Sequence, residues 1–175
     1  MNNIKVDDKE VWPSKVVCIG RNYADHIAEM GSDTPTQAVI FMKPNSAITD
    51  KLYFNDADPV HYEGELSCLI ENNRIAAVGF GLDLTKRAEQ KILKNAGLPW
   101  ERAKSFNHSA VFSPFVTFNG DINHLRLELY INGNLVQQAG VDFMLIKPLD
   151  MLDEISTFLT MEDGDIMMTG TPKGV

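Results

Sequence analysis

Two glutamates one residue apart, Glu63 and Glu65, lie in the run His61-Tyr-Glu-Gly-Glu-Leu-Ser-Cys-Leu-Ile70. The run interleaves apolar and polar residues at period 2 and reads as a β-strand. Positions two apart on a strand leave the same face, with Cα atoms roughly 6.5–7 Å apart. Two long carboxylates at that spacing can converge on one divalent cation, and without one their like charges would raise one pKa. The same pattern also describes the solvent face of an edge strand, the commoner situation. A third acid, Asp83, interrupts the apolar run Ile75-Ala-Ala-Val-Gly-Phe-Gly-Leu-Asp-Leu-Thr85. A carboxylate there needs a partner. It is either a cap for the helix expected at Lys86 or a metal ligand.

His26 and Glu29 form a second pair. Ala24 to Met30 suits a short helix, with Asn22 as candidate cap and Gly31 as stop. His26 and Glu29 are then i and i+3 on one face. They read either as a base with its orienting carboxylate or as an incidental contact on a surface helix.

The elements that must position these groups are mostly strands. Strands are expected at Ser14–Gly20, Gln37–Lys43 (ended by Pro44), Ile75–Thr85, Ala110–Phe118 and Ile166–Met168, besides the Glu63/Glu65 strand. Leu125 to Ile131 alternates as a half-buried strand, Asn132-Gly133 is a hairpin turn signal, and Asn134 to Ala139 returns. Residues 45–59 are polar and turn-rich. Lys86–Asn95, stopped by Gly97 and Pro99, and Pro148–Leu159 have helical character. Strands outnumber helices, so the fold class is mainly β with short helices, α+β. With no repeat, linker or low-complexity tract, residues 1–175 form a single domain. The sequence stops in the glycine-rich loop Thr169-Gly-Thr-Pro-Lys-Gly-Val175 directly after a strand, so the domain is expected to be truncated at its C-terminus.

The chain has 175 residues, enough for a sizeable core, with 44% hydrophobic and 23% charged residues, as in ordinary soluble domains. No run is long enough to span a bilayer, and the acidic start lacks the apolar segment of a secretory signal. Cys18 and Cys68 both sit in apolar strand-like runs and read as buried thiols, which suits a reducing, cytoplasmic setting. A net charge of −8 argues against nucleic acid and an anionic membrane as partners. It leaves an anionic small substrate open, because a local field can oppose the global one.

Several runs together resemble the fumarylacetoacetate hydrolase family. They are Ile19-Gly-Arg-Asn-Tyr-Ala-Asp-His26, Phe41-Met-Lys-Pro44, His61-Tyr-Glu-Gly-Glu-Leu66 and Leu82-Asp-Leu-Thr-Lys-Arg87 with Gln90. Gly97-Leu-Pro-Trp-Glu-Arg-Ala-Lys-Ser-Phe106, Gly164-Asp165 and the closing loop complete the pattern. The resemblance runs over nearly the whole chain and is strongest to the short single-domain branch of acylpyruvases and oxaloacetate decarboxylase-like enzymes. Two departures stand out. The sequence ends where family members continue, and Asn107 stands where many bacterial relatives have Asp.

The resemblance implies a mixed β-sandwich roll and a homodimer. It implies a metal site of Glu63, Glu65 and Asp83. Such an all-carboxylate set suits a hard cation, Mg²⁺ first, then Mn²⁺ or Ca²⁺. It further implies that His26 and Glu29 lie on a lid and that Gln90 and Lys104 lie in the pocket. Thr171 would lie in a substrate-binding loop, and Arg21 and Tyr23 would be further substrate-binding residues. The implied substrates are small 2-oxo acids, acylpyruvates such as acetylpyruvate and fumarylpyruvate, or oxaloacetate. The implied reaction is cleavage of the C3–C4 bond through a metal-stabilised pyruvate enolate, by hydrolysis or decarboxylation. In hydrolysis His26 with Glu29 would activate water, and Lys104 would neutralise the developing oxyanion. One rival reading is an isomerase or tautomerase of oxaloacetate or of a 2-hydroxy-dienedioate. Another is an inactive, metal-stabilised binding protein.

Overall fold

Strand β3 (Lys15–Gly20) and strand β12 (Ile166–Met168) lie side by side and parallel at the centre of the molecule. The structure is a computed structural model that describes residues 1–53 and 58–175. Positions 54–57 of the polar stretch 45–59 lie outside the described residues. In chain order the strands before the site are β1 (Ile4–Val6), β2 (Lys9–Val11), β3, β4 (Val39–Pro44) and β5 (Ile48–Thr49). Helix α1 (Ala24–Glu29) falls between β3 and β4. Then follow β6 (Gly64–Glu71), β7 (Arg74–Asp83), helices α2 (Arg87–Asn95) and α3 (Glu101–Lys104), and strands β8 (Ala110–Phe112) and β9 (Val116–Thr117). The hairpin β10 (Arg126–Ile131) and β11 (Asn134–Gly140), helix α4 (Pro148–Ser156) and β12 complete the chain.

The main sheet runs β4-β3-β12-β6-β7-β8-β5, with β9 pairing to β7. Its central strands are apolar on both faces because both faces are covered. Val17, Ile19, Cys68, Ile70 and Met167 point to one side, against Met151, Leu152 and Ile155 of α4. Val16, Cys18, Leu69, Ile166 and Met168 point to the other, against Ile48, Phe112 and Phe115. Successive residues thus serve different cores, as the alternation of a strand requires. The result is a sheet-rich roll with a few short helices, in agreement with the mainly β expectation.

Turn chemistry sets two of the tight hairpins. Asn132 and Gly133 have φ of 52° and 80°, the positive pair that a two-residue primed turn needs. Asn72 and Asn73, at 50° and 55°, do the same between β6 and β7, as the side chain of Asn tolerates that region. Helix α4 begins with Pro148 in its first turn, where the missing N–H costs nothing. The expected strand over Ala110–Phe118 is instead two short strands. Pro114 lies between them and cannot donate to a ladder. The β1–β2 hairpin and the short helix α3 had no counterpart in the sequence reading.

Candidate metal centre and adjoining cleft

The register of β6 on β7 assembles the acids. Glu65 pairs with Gly81, Gly64 with Leu82, and the Asp83 N–H donates to Glu63 O at 2.9 Å. Glu63 immediately precedes β6, and Glu65 and Asp83 share the face that carries Leu69 and Ala77. A carboxylate oxygen from each of Glu63, Glu65 and Asp83 lies within 4.8 Å of the others. All three residues are buried, which excludes the solvent-face reading of the Glu-x-Glu pair. Asp83 is also no helix cap: Lys86 occupies the N-cap of α2 and no side chain caps it.

Three cations face these acids. The Lys104 ammonium, from α3, lies 2.7 Å from Glu63 Oε2, 2.5 Å from Asp83 Oδ2 and 2.6 Å from Thr85 Oγ1. Arg87 at the start of α2 donates to Glu63 Oε1, and to Gln90 Oε1 at 2.7 Å. Lys43, fully buried on β4, lies 2.9 Å from Asp83 Oδ1 and 3.0 Å from Ser109 Oγ, and also donates to the Lys104 carbonyl. Among the described residues no cation forms an ion pair with Glu65, which accepts from the Gly170 N–H at 2.8 Å.

The two glutamates therefore titrate in opposite directions. Burial alone would raise the Glu63 pKa, but Lys104 and Arg87 outweigh it and bring it down to about 2. For Glu65, burial comes first, and the Asp83 and Glu63 charges add to it, so its pKa stands well above the usual value. Lys104 is held charged, its pKa raised because Asp83 and Glu63 outweigh the cost of burial.

This donor set fits a hard divalent cation. The ligating atoms are all carboxylate oxygens, close enough to share one ion. Asp83 Oδ1 is buried and has no aligned hydrogen bond, its Lys43 contact being an ion pair alone. A cation there would satisfy it.

Beside the acids lies a small cleft of about 50 Å³, lined among others by Arg21, His26, Glu63, Gln90, Trp100 and Lys104. His26 and Glu29 meet across one turn of α1, with Nδ1 3.2 Å from Oε2. The Asn22 cap expected for that helix is not formed. Tyr23 holds the N-cap position without a side-chain bond. The Asn22 amide instead joins distant segments, donating to Ile146 O and Thr169 O at 3.0 Å and accepting from Ile146 N at 2.8 Å.

Of the sequence-derived site residues, Glu63, Glu65, Asp83 and Lys104 meet at the acid cluster, and Arg21, His26 and Gln90 line the cleft with Glu63 and Lys104. Three others do not line that cleft: Glu29, which reaches it only through His26, and Tyr23 and Thr171. Tyr23 packs into the core under α4, and its hydroxyl reaches Gly140 O at 3.5 Å. Thr171 donates to Gly64 O at 3.0 Å and accepts from Gln137 Nε2 at 2.8 Å. It braces the glutamate strand from behind.

Three residues of the site escaped the sequence reading. Lys43 left a signal, as a lone cation in an apolar strand. Arg87 left another, three positions before Gln90 on one helix face. Gln137 left none. It is fully buried in β11, accepts from Gly64 N at 2.9 Å and donates to Thr171 and to Pro172 O, both at 2.8 Å.

Residues 15–175 match the family model described as fumarylacetoacetate (FAA) hydrolase C-terminal. Oxaloacetate tautomerase YcgM of Escherichia coli (strain K12) is 42% identical over 180 residues, covering 93% of this chain and 82% of that protein. The crystal structure of fumarylpyruvate hydrolase from Pseudomonas aeruginosa, in complex with Mn²⁺ and pyruvate, superposes with a TM-score of 0.88 at 27% identity, over 99% of this chain and 84% of that one. The 5-carboxymethyl-2-hydroxymuconate delta-isomerase from Mycobacterium smegmatis superposes with a TM-score of 0.79 at 32% identity, over 94% and 70% of the two chains.

Proposed function

The chain belongs to the fumarylacetoacetate hydrolase family, and on that premise we propose that it is a divalent-metal-dependent tautomerase of small 2-oxo acids, with oxaloacetate as the first candidate substrate. The observation that carries this reading is the convergence of Glu63, Glu65 and Asp83 beside a cleft lined by His26. The 42% identity to an oxaloacetate tautomerase favours proton transfer over the C–C cleavage expected from the sequence.

Glu63, Glu65 and Asp83 would hold the cation. Bound there, it would supply Lewis-acid stabilisation of negative charge on the 2-oxo oxygen. The chain's own groups do the rest. His26 moves the proton at C3, and Glu29 holds the imidazole in one tautomer through Nδ1. In the enol-to-keto direction the C2 hydroxyl loses one proton and C3 gains one, so atoms balance without water or a leaving group. Lys104 offers positive charge beside the same oxygens. Arg21 and Gln90 line the cleft and orient the carboxylates of the substrate. Mn²⁺ or Mg²⁺ are the cations of choice for this donor set.

A second reading has its own support: a structural neighbour that is a fumarylpyruvate hydrolase, in complex with Mn²⁺ and pyruvate. There His26 would activate a water instead of shuttling a proton. One experiment separates the two. The protein is given oxaloacetate, acetylpyruvate and fumarylpyruvate, each with Mn²⁺ or with chelator, and both C3 deuterium exchange and pyruvate release are followed. Tautomerase activity predicts metal-dependent exchange on oxaloacetate, with His26→Ala slowing it about 100-fold or more. Pyruvate release from an acylpyruvate without faster exchange on oxaloacetate would replace this reading by the hydrolase one.

A further inference from the structure

The His26–Glu29 pair is held from outside its own helix. The Gly174 N–H donates to the Glu29 carboxylate, 3.0 Å to Oε1 and 3.2 Å to Oε2. The carbonyl of the same glycine accepts the Tyr62 hydroxyl at 3.0 Å. Gly174 has a φ of +106°, and a Cβ there would lie 1.9 Å from Val136 O. Glycine is thus required at this position, and the backbone directions of its two polar groups are fixed against β11. A second tie between this loop and α1, Lys173 to Asp25 at 2.9 Å, joins two exposed side chains and contributes little.

We propose that Tyr62 is a positioning residue for the His26–Glu29 pair. Its hydroxyl anchors the closing loop, Gly174 fixes the Glu29 carboxylate, and Glu29 holds the proton on His26 Nδ1, which sets the tautomer. Tyr62 adjoins Glu63, so a single dipeptide reaches both halves of the site. One residue approaches the metal centre and the other steadies the proton-transfer helix. The inference rests on the reading of His26 as the proton-transfer group.

The test is a double-mutant cycle of Tyr62→Phe and Glu29→Gln, with oxaloacetate and Mn²⁺ as probes. Phenylalanine keeps the ring and removes only the hydroxyl. Tyr62→Phe is expected to lower kcat about tenfold, with KM for oxaloacetate and Mn²⁺ affinity within about twofold of the parent. In the Glu29→Gln background it is expected to change nothing further, because both act through one connection. Losses that multiply, an unchanged kcat, or a weakened Mn²⁺ affinity would each overturn the proposal, the last by showing that Tyr62 acts through Glu63. If Glu29→Gln leaves kcat intact, the His26–Glu29 reading falls and this inference with it. If Glu29→Gln lowers kcat but Tyr62→Phe does not, only this inference falls.

Discussion

The Lys104 ammonium lies 2.5 Å from Asp83 Oδ2, and both residues are buried. A lysine at the end of a four-residue helix thus meets an aspartate at the end of a ten-residue strand. Its charge is one of three that offset the Glu63, Glu65 and Asp83 carboxylates, and removing it leaves buried anions short of a partner. Lys104→Met is expected to cost roughly 3–5 kcal/mol of stability with chelator present. With saturating Mn²⁺ part of that loss should return, because binding to the folded state is coupled to stability. Urea unfolding of parent and variant, each with Mn²⁺ and with chelator, measures the difference. An equal loss in both conditions would show that Lys104 and the cation do not share the same carboxylates.

Asp83→Asn tests the ligand set directly. The amide keeps the size of the carboxylate and removes its charge, so the fold should persist while Mn²⁺ affinity falls at least about 100-fold. Calorimetric titration with Mn²⁺ reads this without reference to turnover. Parent-like affinity in Asp83→Asn would remove Asp83 from the metal site.

The acids were legible in the sequence because strand geometry is local. A Glu-x-Glu spacing fixes one face, and an Asp inside an apolar run demands a partner. Their mutual approach depends on the register of β6 on β7, which the turn at Asn72 and Asn73 starts and a bulge between Leu69 and Ile70 then shifts by one residue, so that Glu65 comes opposite Gly81 and on the face of Asp83. The residue pattern alone shows no such shift. Asn22 shows the opposite failure. A polar residue just before a helix reads as a cap, but its amide instead reaches segments more than a hundred positions away. For Tyr23 and Thr171 the resemblance implies substrate contact; in the structure their hydroxyls also have backbone partners, the carbonyls of Gly140 and Gly64. Such roles depend on where distant chain segments fold, and no spacing encodes that.

Gln137 is the clearest case of a residue invisible to pattern and central to the structure. Its amide joins Gly64, between the two glutamates, to Thr171 and Pro172 in the closing loop. Gln137→Leu fills similar volume and breaks all three bonds, leaving buried groups unpaired. The expected cost is about 1–3 kcal/mol per unpaired group at most, with Mn²⁺ affinity reduced because Gly64 no longer fixes the spacing of its neighbours. Thermal unfolding and Mn²⁺ titration of the same variant check the two halves. Lost stability with unchanged affinity would limit Gln137 to holding the loop.

Asp165 carries a pH dependence of its own, with partners outside the acid cluster. Its Oδ1 accepts from Ser14 N at 2.9 Å, Ser14 Oγ at 2.7 Å and Lys15 N at 3.1 Å, and its Oδ2 from Glu162 N at 2.9 Å and from the Lys15 ammonium. These bonds pin β3 to the turn before β12. Burial alone would raise its pKa, but Lys15, Ser14 and the backbone donors outweigh it and hold it below the usual carboxylate range. The folded state therefore binds the proton less readily than the unfolded chain. The stabilisation is full above the unfolded pKa, about 3.9, and is lost as pH falls through the lower folded value. Asp165→Asn should be less stable than the parent by about 1–3 kcal/mol at pH 7. The gap should hold at pH 5 and close below pH 4. Urea unfolding of both proteins across that range measures it, and a gap that stays constant down to pH 3 would show that the carboxylate charge contributes nothing to the junction.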